Sequence, residues 1–329
     1  MKHSNVAIFI PHSGCENTCS FCNQKTISGQ TQMPALQDIH AALEQASAEL
    51  GENTRNAEIA FFGGSFTCLS KEQMEMLLKT AYSYVKGKYF KGIRISTRPD
   101  AINRDILALL QKYGVTAIEL GAQSMSDKVL EANRRGHTVQ DIVDACAQIT
   151  AFGGFELGLQ MMTGLYKSNR EEDMNTASAL LNCKPDTLRV YPTVVLRGTY
   201  LCELYEQGRY IPMTLDETVS LCASILEACE QAGVRVIKMG LHSSLTVERD
   251  MAAGVYHPAF RELVEGERMY QKAMTLLEKN EGNTICVSPK SLSKMIGQKR
   301  KNLMRLQERY KDITIITDAS LRPDEIRIT

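Results

Sequence analysis

The sequence predicts an α/β protein, a partial (β/α)6 barrel followed by a small α+β module. Three observations predict it. Short runs rich in β-branched and aromatic residues alternate with amphipathic stretches, the runs end in Gly, Ser or Arg, and the pattern changes after residue 280. Strand, crossover and strand repeated six or seven times builds a parallel sheet, because parallel neighbours need a connection long enough to hold a helix. Small and polar residues at the strand ends suit a barrel whose C-terminal rim carries the chemistry.

The first strand is NVAIFIP (5–11); its apolar segment stops at Pro11, too short for a signal-peptide core. LQDIHAALEQASAEL has helical periodicity, EIAFFGG is the second strand, and KEQMEMLLKTAYSYV the next helix. GIRIST, RDILALLQKY and TAIELG continue as strand, helix and strand; FELGLQMM and TLRVYP are two further strands. LDETVSLCASILEACEQAG is a helix leading into the strand VRVIKM, and HPAFRELVEGERMYQKAMTLLEK is a long helix after it. The barrel is assigned to 1–240 and an extension of it to 241–280. Beyond NEGN (280–283), TICVSPKSLSKMIG and KNLMRLQERYKDITIIT read strand, helix, turn, helix, strand, a module over 281–329. Met295, Ile296, Leu303, Leu306 and Tyr310 have the spacing of core-facing helix positions.

A chain of 329 residues is long enough for one large domain and a small one. No run approaches the roughly 18–20 apolar residues of a membrane span. Ten cysteines without a secretory signal predict a reducing, cytoplasmic setting, with thiols free for metal or catalysis. Net charge is zero, yet Lys290, Lys294, Lys299, Arg300, Lys301, Arg305, Arg309 and Lys311 face a single acid, Glu308, within 22 residues. Such a patch on a neutral chain points to a polyanionic partner, or to a solvated helix face.

GCENTCSFCNQ places Cys15, Cys19 and Cys22 within eight residues. Structural zinc needs a fourth ligand, for which His12 is nearest, and usually takes two separated pairs. An iron–sulfur cluster held by three thiolates, with the next cysteine far off at Cys68, would keep one iron open to a substrate or cofactor. Spacing alone leaves both readings standing.

CENTCSFC, with Phe21 before its third cysteine, resembles the signature of the radical S-adenosylmethionine superfamily. The resemblance implies a [4Fe-4S] cluster on Cys15, Cys19 and Cys22, with the amino and carboxylate groups of S-adenosylmethionine on the open iron. It implies reductive cleavage to a 5′-deoxyadenosyl radical that abstracts hydrogen, fed by an electron donor such as flavodoxin or ferredoxin. FFGGSFT (61–67) resembles the family's glycine-rich turn, so Gly63 and Gly64 fall at the methionyl amino group, where glycine allows close backbone approach. Ser96 of ISTRPD falls at the ribose, and Gln123 and Arg135 at the cofactor, the arginine on its carboxylate.

LRVYPTVVLRGTYLCELYEQGRYIPMTLDE, RRGHT and YHPAFRELVEGE are similar to the radical domain of the Elongator catalytic subunit and its extension. That branch modifies wobble uridine in tRNA, so the resemblance implies RNA, and within it tRNA, as partner, with no membrane. No acetyltransferase-like segment follows within these residues, so the carboxymethyl reaction is not carried over. Tyr191, Arg197 and Lys238 lie at or beyond strand ends as substrate-side candidates, Tyr191 and Lys238 being the catalytic ones. SKMIGQKRKNLMRLQERYKDITIIT resembles a minimal KH motif whose GxxG turn is Gly297-Gln298-Lys299-Arg300, Arg300 replacing the second glycine. In KH domains that turn clamps the nucleotide backbone, so Gly297, Lys299, Arg300 and Lys301 are the RNA-facing candidates. The expectation is a radical enzyme that modifies structured RNA. Its alternatives are a radical enzyme for a small molecule or protein with a structural tail, and a non-enzymatic zinc RNA-binding protein.

Overall fold

The structure, a computed structural model, describes residues 4–10, 19–23, 26, 32–87, 89–242, 245–280 and 282–329. In chain order the first part contains β1 (Ser4–Ile10), α1 (Leu36–Leu50), β2 (Ala57–Gly63), α2 (Lys71–Lys86), β3 (Gly92–Thr97), α3 (Arg104–Lys112) and β4 (Val115–Gln123). Then come α4 (Asp127–Ala132), α5 (Val139–Phe152), β5 (Glu156–Thr163), α6 (Arg170–Asn182), β6 (Thr187–Pro192), β7 (Val194–Leu196) and α7 (Tyr200–Glu206). α8 (Leu215–Gln231), β8 (Arg235–Met239), α9 (Leu245–Asp250), β9 (Met251–Gly254) and α10 (Phe260–Leu277) complete it.

All seven predicted strands enter one parallel sheet, in the order β1-β2-β3-β4-β5-β6-β8. β1 and β8 are its edges, so the barrel is open between them. Helices cover its outer face; Leu77 and Leu78 of α2, Leu107 and Leu110 of α3 and Ile225 of α8 are buried with Ile59, Ile93, Ile95 and Ile118 in one core. Near-continuous apolar strands are what a sheet covered by helices requires. Ser70, Thr138 and Thr214 cap α2, α5 and α8 in capping boxes with Gln73, Asp141 and Glu217, which fixes where each helix starts.

β7 and β9 form a short antiparallel ribbon beside the barrel. It is close enough that a Cβ on Gly254 would sit 2.6 Å from the Thr193 carbonyl oxygen.

The C-terminal module holds β10 (Thr284–Val287), α11 (Leu292–Ile296), α12 (Lys301–Arg309), β11 (Thr314–Thr317) and β12 (Ile326–Ile328). β10 is central, parallel to β11 and antiparallel to β12, a last strand the sequence reading did not include. Met295, Leu303 and Leu306 are buried; Ile296 and Tyr310 are half-buried. The module's core is completed by Met269, Ala273, Met274 and Leu277 of α10, while Phe260 and Val264 at the other end of that helix belong to the barrel core. One continuous helix therefore carries both cores. Among the described residues, no helix is long and apolar enough to cross a membrane.

Candidate active site

A cavity of about 290 Å³ opens at the C-terminal ends of the sheet strands. The six predicted cofactor residues Phe21, Gly63, Gly64, Ser96, Gln123 and Arg135 all line it, together with Cys19, Cys22 and Tyr191. Cys15 and His12 lie outside the described residues. Among the described residues no three His, Cys, Asp or Glu side chains cluster as a metal site.

The thiol-bearing loop is tied to the barrel through the fully buried Ser20. Its hydroxyl donates to Asn133 Oδ1 at 2.7 Å and its N–H to the Asn133 carbonyl at 3.0 Å, while its own carbonyl accepts from Leu201 N–H at 2.8 Å. Arg135 then bridges loop and sheet, donating to Cys19 Sγ at 2.9 Å and to the Gly121 carbonyl of β4 at 2.6 Å. The Phe21 ring lies 5.8 Å from its guanidinium. Cys68 is half-buried, accepts from Ser65 Oγ at 3.2 Å and is not part of the cavity wall.

Gly63 ends β2 at φ 104°, and a Cβ there would sit 3.2 Å from the Ile10 carbonyl oxygen, so the turn approaches β1 as only glycine allows. Ser65 locks the turn to the end of β3, its hydroxyl 3.0 Å from Thr97 Oγ1 and accepting from Arg98 N–H at 3.1 Å. Gln123 takes a left-handed φ of 68° where the β4–β5 register shifts. Its Oε1 and the Arg135 Nε are buried with no hydrogen-bond partner among the described residues. A strained non-glycine residue and two orphaned polar atoms on one cavity wall are the marks of a ligand site.

Beneath the wall lies a charge layer that the sequence reading did not pick out. Arg94 donates to Glu58 at 2.8 Å, Glu119 at 3.1 Å and Glu156 at 2.7 Å. Glu119 also accepts from Arg189 Nε at 2.6 Å and from Gln160 at 2.8 Å, and Gln160 reaches Ser96 Oγ at 3.1 Å. Arg94, Glu58 and Glu119 are each about 1% exposed. The signal was available: charged residues at inward positions of apolar strands, as in AIELG and LRVYP, are retained only when paired.

Tyr191 is half-buried on the cavity wall, and burial pushes its phenol up. Lys238 is half-buried beside the cavity without lining it; burial, then Arg189 and Arg261, pull its ammonium below the usual lysine range. Arg197 is exposed and holds its loop through the backbone, its N–H on the Asp250 carbonyl at 2.9 Å and its carbonyl accepting from Asn23 at 3.3 Å.

Residues 9–180 match the family model described as the Radical SAM superfamily, and 185–270 match the Radical_SAM C-terminal domain. The chain belongs to the radical SAM superfamily. Human Elongator complex protein 3 is 31% identical over 255 residues, 70% of this chain and 44% of its own. The tRNA uridine(34) acetyltransferase of Methanocaldococcus jannaschii is 26% identical over 258 residues, 72% and 46% of the two chains. The chain thus spans less than half the length of these curated relatives. The archaeal Methanocaldococcus infernus Elp3 with an N-terminal deletion shares the fold at TM-score 0.67 and 21% identity, over 82% of this chain and 63% of that one. Streptococcus suis SuiB bound to S-adenosylmethionine does so at 0.52 and 14%, over 72% and 50%.

This radical SAM chain is an enzyme related to the radical region of Elongator complex protein 3, and its cofactors are the family's [4Fe-4S] cluster and S-adenosylmethionine. The described residues fit those groups: two thiols on the wall, a glycine cradle against β1, and an unpartnered acceptor and donor on Gln123 and Arg135.

The second candidate surface is the GxxG-like turn. Gly297 has φ 76°, and a Cβ there would sit 2.8 Å from Asn302 Cγ, so a glycine is required. Arg300, in the place of the second glycine, keeps a left-handed φ of 63°, and Lys299 one of 52°. Half the basic patch is neutralised internally. Lys294 pairs with Glu265 and Asp324, Lys301 with Asp216, Arg305 with Glu267 and Arg309 with Glu278. Lys290, Lys299, Arg300 and Lys311 make no ion pair among the described residues.

Proposed function

We propose that this enzyme modifies structured RNA, with tRNA as its substrate. The observation that carries the reading is the exposed, unpaired Lys299–Arg300 turn on a module whose core is shared with the barrel through α10. Similarity to the protein named tRNA uridine(34) acetyltransferase supports it.

In this reading Cys15, Cys19 and Cys22 ligate the cluster. Gly63 and Gly64 pass their backbone close to the methionyl amino group, Ser96 meets the ribose, and Gln123 and Arg135 hold the remaining polar groups, the arginine on the carboxylate. When bound, the cluster and S-adenosylmethionine supply one-electron cleavage and hydrogen abstraction, with an electron donor such as flavodoxin or ferredoxin. Phe21, Phe62, Met162 and Leu196 line the same space and keep water from the reacting carbon. Tyr191 and Lys238 stand on the substrate side.

Lys299 and Arg300 contact RNA phosphates, with Gly297 setting the turn. Lys301 joins them only by leaving Asp216, an exposed pair of little worth. Binding of tRNA by the holoenzyme, measured against salt, tests this. Each phosphate contact adds about 0.9 to the magnitude of the log–log slope. Replacing Lys299 and Arg300 together with alanine is expected to flatten the slope by about two such contacts. An unchanged slope and affinity would favour a small-molecule or protein substrate with a purely structural tail.

A further inference from the structure

On the far side of the cavity two cations, Arg189 on its wall and Lys238 behind it, stand side by side on neighbouring strands. Where β6 runs beside β8 the register shifts, so that Leu188 opposes Val236 but Arg189 opposes Lys238, skipping Ile237. A bulge of this kind re-aims side chains, here by setting two cations against each other on neighbouring strands. Like charges directly opposite are destabilising. Glu119 answers Arg189 through two bonds, at 2.6 Å and 2.8 Å, but it also serves Arg94. Lys238 makes no hydrogen bond or ion pair among the described residues, although it is half-buried. His242, exposed on the cavity wall just past β8, has none either. Both are pulled below their usual ranges, first by partial loss of solvent around the charged group and then by neighbouring cations: Arg189 acts on both and Lys238 on His242. No carboxylate lines the cavity among the described residues.

S-adenosylmethionine has one carboxylate, and Arg135 is the side chain poised for it. Arg135 grips the carbonyl of Gly121, whereas Arg189 grips the side chain of Glu119, two residues earlier on β4 and about 7 Å deeper along the strand. Arg189 is itself 7% exposed yet lines the cavity. The β6/β8 side therefore presents cationic groups, Arg189 and the neighbouring Lys238, at a place apart from Arg135.

We propose that Arg189, Lys238 and His242, with the Tyr191 hydroxyl beside them, form an oxyanion subsite for the substrate. Its ligand is a phosphate or carboxylate group of the molecule being modified. Assigning that group to the phosphate of a target nucleotide rests on the RNA reading; the subsite itself does not.

The test uses the holoenzyme and three probes: inorganic phosphate, uridine 5′-monophosphate and succinate, with uridine as the uncharged control. Arg189 is left alone, because its loss would strand Glu119 in the barrel. Lys238→Gln and His242→Gln are used instead, each checked for an unchanged melting temperature. The subsite predicts competitive binding of phosphate and uridine 5′-monophosphate, weakened about tenfold or more in the double variant while affinity for S-adenosylmethionine stays within about twofold. Uridine 5′-monophosphate binding more tightly than uridine identifies a nucleotide phosphate. Succinate displacing phosphate, with no gain of the nucleotide over the nucleoside, identifies a carboxylate substrate and keeps the subsite. Binding of none of the three anions, or binding that the double variant leaves unchanged, overturns it. Loss of tRNA binding with the subsite intact counts against the RNA reading alone.

Discussion

Arg135 joins three parts of the cavity, since one guanidinium touches the Cys19 sulfur, the Gly121 carbonyl and the face of Phe21. Lysine has no planar fork to make two such bonds at fixed angles. Arg135→Lys is expected to weaken S-adenosylmethionine binding by about tenfold with the fold retained, as read by titration calorimetry. His137, two residues on, is buried, and burial followed by the Arg135 charge holds its imidazole down at about 4. Below pH 6.5 the unfolded chain binds a proton that the folded one refuses. Stability therefore falls with pH from about 6.5 to about 4, by about 3 kcal/mol in all, and has no such contribution above that window. Asp173, pushed up to about 6 by burial, acts with opposite sign over part of the same range. The difference in stability between wild type and His137→Gln across pH 4–7 isolates the imidazole; a difference that does not change with pH would refute it. The cavity's upper wall was legible in the sequence through a family resemblance carried by motifs at successive strand ends, which picked out Gly63, Ser96, Gln123 and Arg135. Glu119, Gln160 and Arg189 could not be matched in this way, because their pairing depends on strand register.

That register operates at the scale of the elements. Arg94 on β3 is held by carboxylates from β2, β4 and β5, so one side chain spans four adjacent strands. Arg94→Met would leave three carboxylates with their shared cation gone and is expected to cost about 3–5 kcal/mol in chemical denaturation. A loss below about 1 kcal/mol would mean the layer is wet or loosely coupled. In the C-terminal turn, sequence showed a missing glycine, and the backbone kept the glycine's conformation. Arg300→Gly therefore suits that backbone while removing one charge. It is expected to lower tRNA affinity with no loss of melting temperature, whereas a fall in both would make Arg300 a structural residue. The strand β12 escaped the sequence reading because IRI is only three residues long and pairs antiparallel to a distant strand, leaving no periodicity to detect.

For the whole molecule, α10 is decisive. Its first turns are buried against the barrel and its last against the module, so the composition change near 281 falls beyond the apolar residues that join the two. Removing 282–329 would uncover Met269, Met274 and Leu277, each worth about 1.5–3 kcal/mol of burial. The full chain is expected to melt in one transition by calorimetry, and the truncated chain to melt lower or aggregate; two separate transitions in the full chain would contradict a shared core. The central claim is RNA modification by a radical enzyme, and nucleoside mass spectrometry of tRNA from cells with and without this gene tests it most directly. The account predicts one modified nucleoside that disappears without the gene, returns with the wild-type copy, and does not return with a Cys19→Ala, Cys22→Ala copy. Identical nucleoside profiles in all four strains would contradict it.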